Sequence, residues 1–120
     1  MSNKVDTKRT VTTGTTAVDV TPALSDDVSA LVYNVRIENK DTVSHTYTVS
    51  LYDQTNTDTI YTSGSIAANG FYEPMKDTNY VHRSIPLNGR TAADTTLRVT
   101  VDANATTTES VVIVDYGTFA

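Results

Sequence analysis

Between residues 30 and 51 the chain alternates apolar and polar side chains in two runs. In ALVYNVRIE, residues 30–38, Leu31, Tyr33, Val35 and Ile37 alternate with Val32, Asn34, Arg36 and Glu38. In TYTVSL, residues 46–51, Tyr47, Val49 and Leu51 alternate with Thr46, Thr48 and Ser50. Period-two alternation places each apolar set on one face of a strand. The polar connector NKDTVSH, with Asn39 and Asp41, suits the turn between them. The stretch therefore predicts a hairpin with Leu31, Tyr33, Val35, Ile37, Tyr47, Val49 and Leu51 facing a core. A hairpin of this kind needs a second layer to cover that face.

The rest of the chain supplies one. Leu97, Val99 and Val101 alternate with Thr96, Arg98 and Thr100, a clear strand. In residues 111–116, Val112, Val114 and Tyr116 share one face and Val111 and Ile113 the other, so this strand is expected to be central. A first strand is expected over 11–20, broken near Gly14 and firmer over 17–20, and shorter extended segments at 59–63, 65–67, 71–73 and 85–87, punctuated by Asn69-Gly70 and Asn88-Gly89 turns. Residues 74–84 have no clear pattern and are expected to cross between sheets. Twenty-three Thr and 15 Val favour strands, and only three Glu are present to favour helix. The expected fold is all-β: an antiparallel two-sheet sandwich, Ig-like or jelly-roll, with seven or eight short strands. Its core is lean, since Leu, Ile, Val and Phe make up 27 of 120 residues and Trp is absent.

Charge is distributed unevenly. The net charge is −5, but Lys4, Lys8 and Arg9 against Asp6 give residues 1–10 a charge of +2, leaving −7 for the remainder. The polar N-terminal segment is expected to be a flexible arm over 1–10, ordered only by a neighbour, preceding a single sandwich domain over 11–120. An acidic body repels phosphates, which argues against nucleic-acid binding. The absence of cysteine excludes disulfides and thiolate metal sites. No apolar run of about 20 residues predicts a membrane span, and no N-terminal apolar run predicts a signal peptide.

Candidate chemistry is sparse. His45 and His82 stand in no motif with a defined catalytic geometry and read as surface histidines. No catalytic residue is expected, and the chain does not read as an enzyme. Asp53, Thr55, Asn56 and Asp58 form an oxygen-rich turn, but it lacks the Gly and Glu of an EF-hand loop and reads as an ordinary hairpin turn. Neither a metal nor a cofactor is expected. Asn104-Ala105-Thr106 matches the glycosylation acceptor triplet, which a Thr-rich chain produces by chance. Strand parity sends Tyr33, Tyr47 and Tyr116 to the core. Tyr52, out of phase with Leu51, is the candidate for an exposed ring. Lys4, Lys8, Arg9 and Tyr52 are thus the candidate interface residues.

Five segments carry a resemblance: YNVRIENKD, YTVSLYD, SIAANGFYE, IPLNG and LRVTVDANATTTESVVIVDYG. Together, over residues 30–117, they resemble the small β-sandwich virion structural proteins of tailed bacteriophages. The resemblance implies a non-enzymatic capsid decoration or minor head protein, with a tail or neck component as the alternative. It implies the major capsid protein or other virion proteins as partners, a homo-oligomer, and a location in the virion after synthesis in the host cytoplasm. From a different class, an exposed Tyr would suit a carbohydrate-binding module.

Overall fold

The computed structural model describes residues 4–25, 27–52, 59–76, 84–89 and 95–119. Among them are nine strands: β1 Lys4–Val11, β2 Val18–Asp19, β3 Ser29–Glu38, β4 His45–Tyr52, β5 Thr59–Ile66, β6 Phe71–Tyr72, β7 Ile85–Asn88, β8 Thr96–Val101 and β9 Val111–Phe119. A 3-10 turn at Pro74–Lys76 is the only helical element described. No helix among the described residues is long and apolar enough to cross a membrane.

Two antiparallel sheets form. One runs β1-β9-β3-β6, with β7 also beside β3; the other runs β2-β8-β4-β5. The all-β two-sheet sandwich is as the alternation requires, with more strands than the seven or eight expected. Directly opposed residues point to the same face, so the register decides what meets in the core. In the first sheet Val35 opposes Val114, Ile37 opposes Val112 and Val32 opposes Tyr116. In the second, Tyr47 opposes Val101, Val49 opposes Val99 and Leu51 opposes Leu97. All of these but the half-buried Leu51 are buried, and together they form the core cluster between the sheets. β9 lies between β1 and β3, central as its two apolar faces predicted.

Two expectations are corrected. The first concerns β3, whose register with β9 shifts between Val32 and Asn34. This bulge takes Tyr33 out of phase, so that Ala30, Val32, Val35 and Ile37 face the core. Leu31 and Tyr33 instead face outward, and Tyr33 is half exposed. A Cβ on Gly117 would lie 2.8 Å from the Tyr33 hydroxyl, so the ring lies across the strand where β9 has no side chain. The second concerns residues 1–10. Lys4–Val11 is a strand, paired with β9 from Lys4↔Thr118 to Val11↔Val111, and not an arm awaiting a neighbour. Val5, Thr7, Arg9 and Val11 take the outer face, opposite Gly117, Asp115, Ile113 and Val111. Backbone pairing along a central strand holds a segment whose own side chains bury little.

Gly89 pins the turn before β3 to the end of β7. Its amide donates to Val28 O at 2.8 Å and its carbonyl accepts the Asp27 amide at 3.0 Å. A Cβ there would lie 2.3 Å from Ser25 O and 2.4 Å from Val28 O, so only glycine fits.

Candidate functional site

Among the described residues the largest concentration of buried titratable groups lies at one end of the sandwich, where the β3–β4 turn meets the loop between β8 and β9. Asn39 shapes that turn. Its side-chain amide donates to Val43 O and Ile66 O, both at 2.9 Å, and its oxygen accepts the Asp41 amide at 3.0 Å. Asp41 is thereby turned inward and is fully buried. One of its oxygens accepts the Thr106 amide at 2.7 Å, and the other accepts the Thr107 amide at 2.8 Å and the Thr107 hydroxyl at 3.0 Å. The Thr42 amide donates at 2.9 Å. The loop around Thr106 and Thr107 forms a nest of donors for an anion, and Asp41 is that anion.

His45 completes the cluster. It begins β4 and shares the inner face with Tyr47 and Val49, so it is buried and not the surface histidine expected. Its Nε2 lies 2.7 Å from Asp41 and its Nδ1 lies 3.1 Å from Asp102. Two carboxylates facing the two ring nitrogens call for a donor at each, and only the imidazolium supplies both. The hydrogen bond that His45 donates to Asp41 raises the His45 pKa above its ordinary value, against the opposing effect of burial, with Asp102 adding to the rise. The hydrogen bond from His45, followed by the Thr106 amide, holds the Asp41 carboxyl well below the usual carboxylate range. Tyr47 stands edge-on to the imidazole at 6.2 Å, and burial pushes its phenol up.

The same loop is gripped from a second side. Glu109 accepts the Thr12 hydroxyl and the Gly14 amide, both at 3.0 Å, tying it to the segment after β1. Thr12 and Ser110 exchange hydrogen bonds, and the Ser110 hydroxyl meets the Tyr47 hydroxyl. In this network both oxygens of Asp41, both oxygens of Glu109 and both ring nitrogens of His45 are occupied by other parts of the chain. Its geometry joins three connections at one end of the fold.

The structure does not bring the four candidate interface residues together. Lys4 and Lys8 lie on the core-facing side of β1, with Lys4 3.4 Å from Asp6, whereas Arg9 points outward. Tyr52 ends β4 in the other sheet, half-buried, with the Arg98 guanidinium 3.6 Å from its ring centroid. The Asp53, Thr55, Asn56 and Asp58 turn and His82 lie outside the described residues. Among the described residues no group of three or more His, Cys, Asp or Glu is arranged to hold a metal ion. Asp41, His45 and Asp102 were missed by sequence reasoning. One signal could have found His45: it stands two residues before Tyr47, in phase with the buried face.

No family matches the sequence, and no curated protein does. Solved structures do. A subunit from Bacillus endospore appendages, described as forming a family of disulfide-linked pili, is 14% identical with a TM-score of 0.51. The match covers 99% of this chain and 87% of that one. A second is the Clostridium thermocellum xylanase 10B fragment with CBM22-1 and GH10 modules, complexed with xylohexaose. It is 17% identical with a TM-score of 0.41, over 79% of this chain and 17% of that one. The first likeness shows a shared fold.

Proposed function

We propose that the chain is a non-enzymatic structural subunit that assembles with copies of itself or onto a larger particle. In its finer form the reading is a capsid decoration or minor head protein of a virion. The observation that carries it is the edge strand β5. Thr59–Ile66 is eight residues long and contains neither charge nor proline. Among the described residues nothing pairs with its outer edge. Monomeric sandwiches guard long edges with lysine, proline or inward charges, because an open ladder templates pairing with another chain. The opposite long edge, β1, has that guard in Lys4 and Lys8 on its core-facing side. β5 does not, and docking by strand addition suits it.

The polar cluster supports a role without catalysis. A general acid or base must face a reacting atom. Both nitrogens of His45 are held by carboxylates of the chain itself. A filament subunit is the second reading, favoured by the likeness to the pilus protein along nearly the whole chain. With no cysteine, this chain would have to assemble without disulfides. A carbohydrate platform has less support, since Arg98 covers one face of the Tyr52 ring.

The test is an edge block. Ser63→Lys with Ser65→Lys puts two charges on β5 where the side chains point away from the core. Sedimentation velocity should show assemblies for the wild type and smaller species for the double variant, with unchanged thermal midpoints. Equal assembly in both would remove β5 as the docking edge.

A further inference from the structure

Five of the six large apolar side chains exposed on the described surface lie on one face, the outer face of the five-stranded sheet. They are Val5 (76% exposed), Val11, Tyr33 (50%), Phe71 (56%) and Phe119. The outer face of the other sheet carries hydroxyls instead, including Thr46, Thr48, Thr100, Ser63 and Ser65.

The register orders this face into four rows across the strands. At one end Val5, Gly117 under the Tyr33 ring, Leu31 and Pro86 form a continuous apolar row over β1, β9, β3 and β7. Next comes Thr7, Asp115 and Asn34, whose one charge is negative. The third row is Arg9, Ile113 and Arg36, whose charges are positive. The fourth, apolar but for Glu38, is Val11, Val111, Glu38 and Phe71.

That sequence of rows is self-complementary. A two-fold axis across the strands at Val114 lays the first row on the fourth and the second on the third. Apolar ends then meet apolar ends, and Asp115 comes between the partner's Arg9 and the partner's Arg36. Asp115 accepts the Thr7 hydroxyl at 2.7 Å, and neither it nor Arg9 has an ion pair among the described residues. Charge balance points the same way. Arg9 and Arg36 on this face, with Lys40 and Lys76 that pair at its rim, stand against Glu38, Glu73 and Asp115. The net is +1 on a chain of −5, so two such faces can approach where two average surfaces would repel. Three strands of 8 to 10 residues, with β6 and β7 adding two and four residues beside β3, at about 3.3 Å per residue and about 4.8 Å spacing, cover roughly 520 Å² per copy, or about 1,000 Å² for the pair, the level that a specific interface needs.

We infer that this face is an isologous interface with a second copy of the chain, strands antiparallel across the contact and Asp115 facing the partner's Arg9. The inference rests on the reading that copies of this chain associate, but it uses a surface separate from β5. Sedimentation equilibrium in the edge-blocked Ser63→Lys/Ser65→Lys background tests it. That protein should remain a dimer. Arg9→Glu and Asp115→Lys should each weaken the dimer by about tenfold or more, and the two together should restore it to within about threefold. Val5→Glu, at a position too exposed to affect folding, should weaken it as well. A dimer indifferent to all of these, or a monomer at about 100 μM, a concentration far above the Kd of a specific interface, overturns the inference. If the edge-blocked protein is a monomer but the wild type still forms larger assemblies or binds capsid shells, the assembly reading survives without this interface. If the wild type neither self-associates nor binds shells, both fall.

Discussion

The His45 Nε2 donates to the Asp41 carboxylate at 2.7 Å, with both side chains buried. This contact joins the first residue of β4 to a carboxylate that also receives four backbone amides, three of them from the loop before β9. A lean sandwich thus closes one end with charge-assisted hydrogen bonds, which are roughly twice as strong as neutral ones.

Stability should therefore depend on pH in a defined direction. The His45 pKa is raised from 6.5 in the fold. Its contribution is fully present below that value and is lost as pH rises through the raised folded value. The Asp41 pKa is lowered from 3.8, so its contribution is present above that value and is lost only in strong acid. The thermal midpoint should be highest between about pH 4 and 6.5 and fall from there toward pH 9, and His45→Gln should flatten the alkaline fall. A midpoint that rises from pH 6.5 to 9 would show that His45 is neutral in the fold.

Asp41→Asn keeps the shape but presents an NH2 group to donors already aimed at an oxygen. Buried polar groups left unpaired are costly. The midpoint should drop by about 10 °C or more, and Asp102→Asn, at a half-exposed position, by much less. Equal drops for the two would assign the clamp to Asp102.

Val49 opposes Val99 in the centre of the core. Val49→Asp buries an unpaired charge and should cost about 4 kcal/mol or more, enough to unfold a domain of this size. Circular dichroism reads the outcome, and a midpoint within a few degrees of wild type would refute the register.

Two glycines should respond in opposite ways. Gly89→Ala drives a Cβ into two backbone oxygens and should destabilise strongly. Gly64, in the interior of β5, has nothing within 4 Å of the added Cβ, so Gly64→Ala should stabilise by about 0.5 kcal/mol. Urea midpoints for both variants check the contrast.

A chain beginning at Thr10 tests β1. Removing Lys4–Arg9 strips the ladder from β9 and leaves a central strand open. The truncated protein should melt lower and aggregate more readily. An unchanged midpoint would return the segment to the status of an arm.

Alternation made most of the sandwich legible. β4, β8 and β9 follow strict parity, and their core faces are those that Tyr47, Val49, Leu97, Val99, Val112 and Val114 announce. Parity failed at Tyr33 because one bulged residue inverts every assignment on the N-terminal side of it. β1 was hidden because it contributes outward apolar residues and inward lysines, so its pattern points away from the core it flanks. Within the cluster Asp41 and His45 are only four positions apart, but Asp102 lies 57 positions from His45 and the Thr106 amide 65 from Asp41, and no local spacing encodes those meetings. Asn39 and Asp41 read correctly as turn residues, while their burial depends on a loop more than 60 residues downstream.

Electron microscopy of the purified full-length chain, alone and mixed with bare tailed-phage capsids, bears most directly on the structural role. Regular oligomers or filaments of the chain itself, or symmetric density on the shells, are expected for the wild type, with nothing larger than the dimer and bare shells for the edge-blocked protein. A chain that stays a monomer at high concentration and leaves the shells bare would contradict that role.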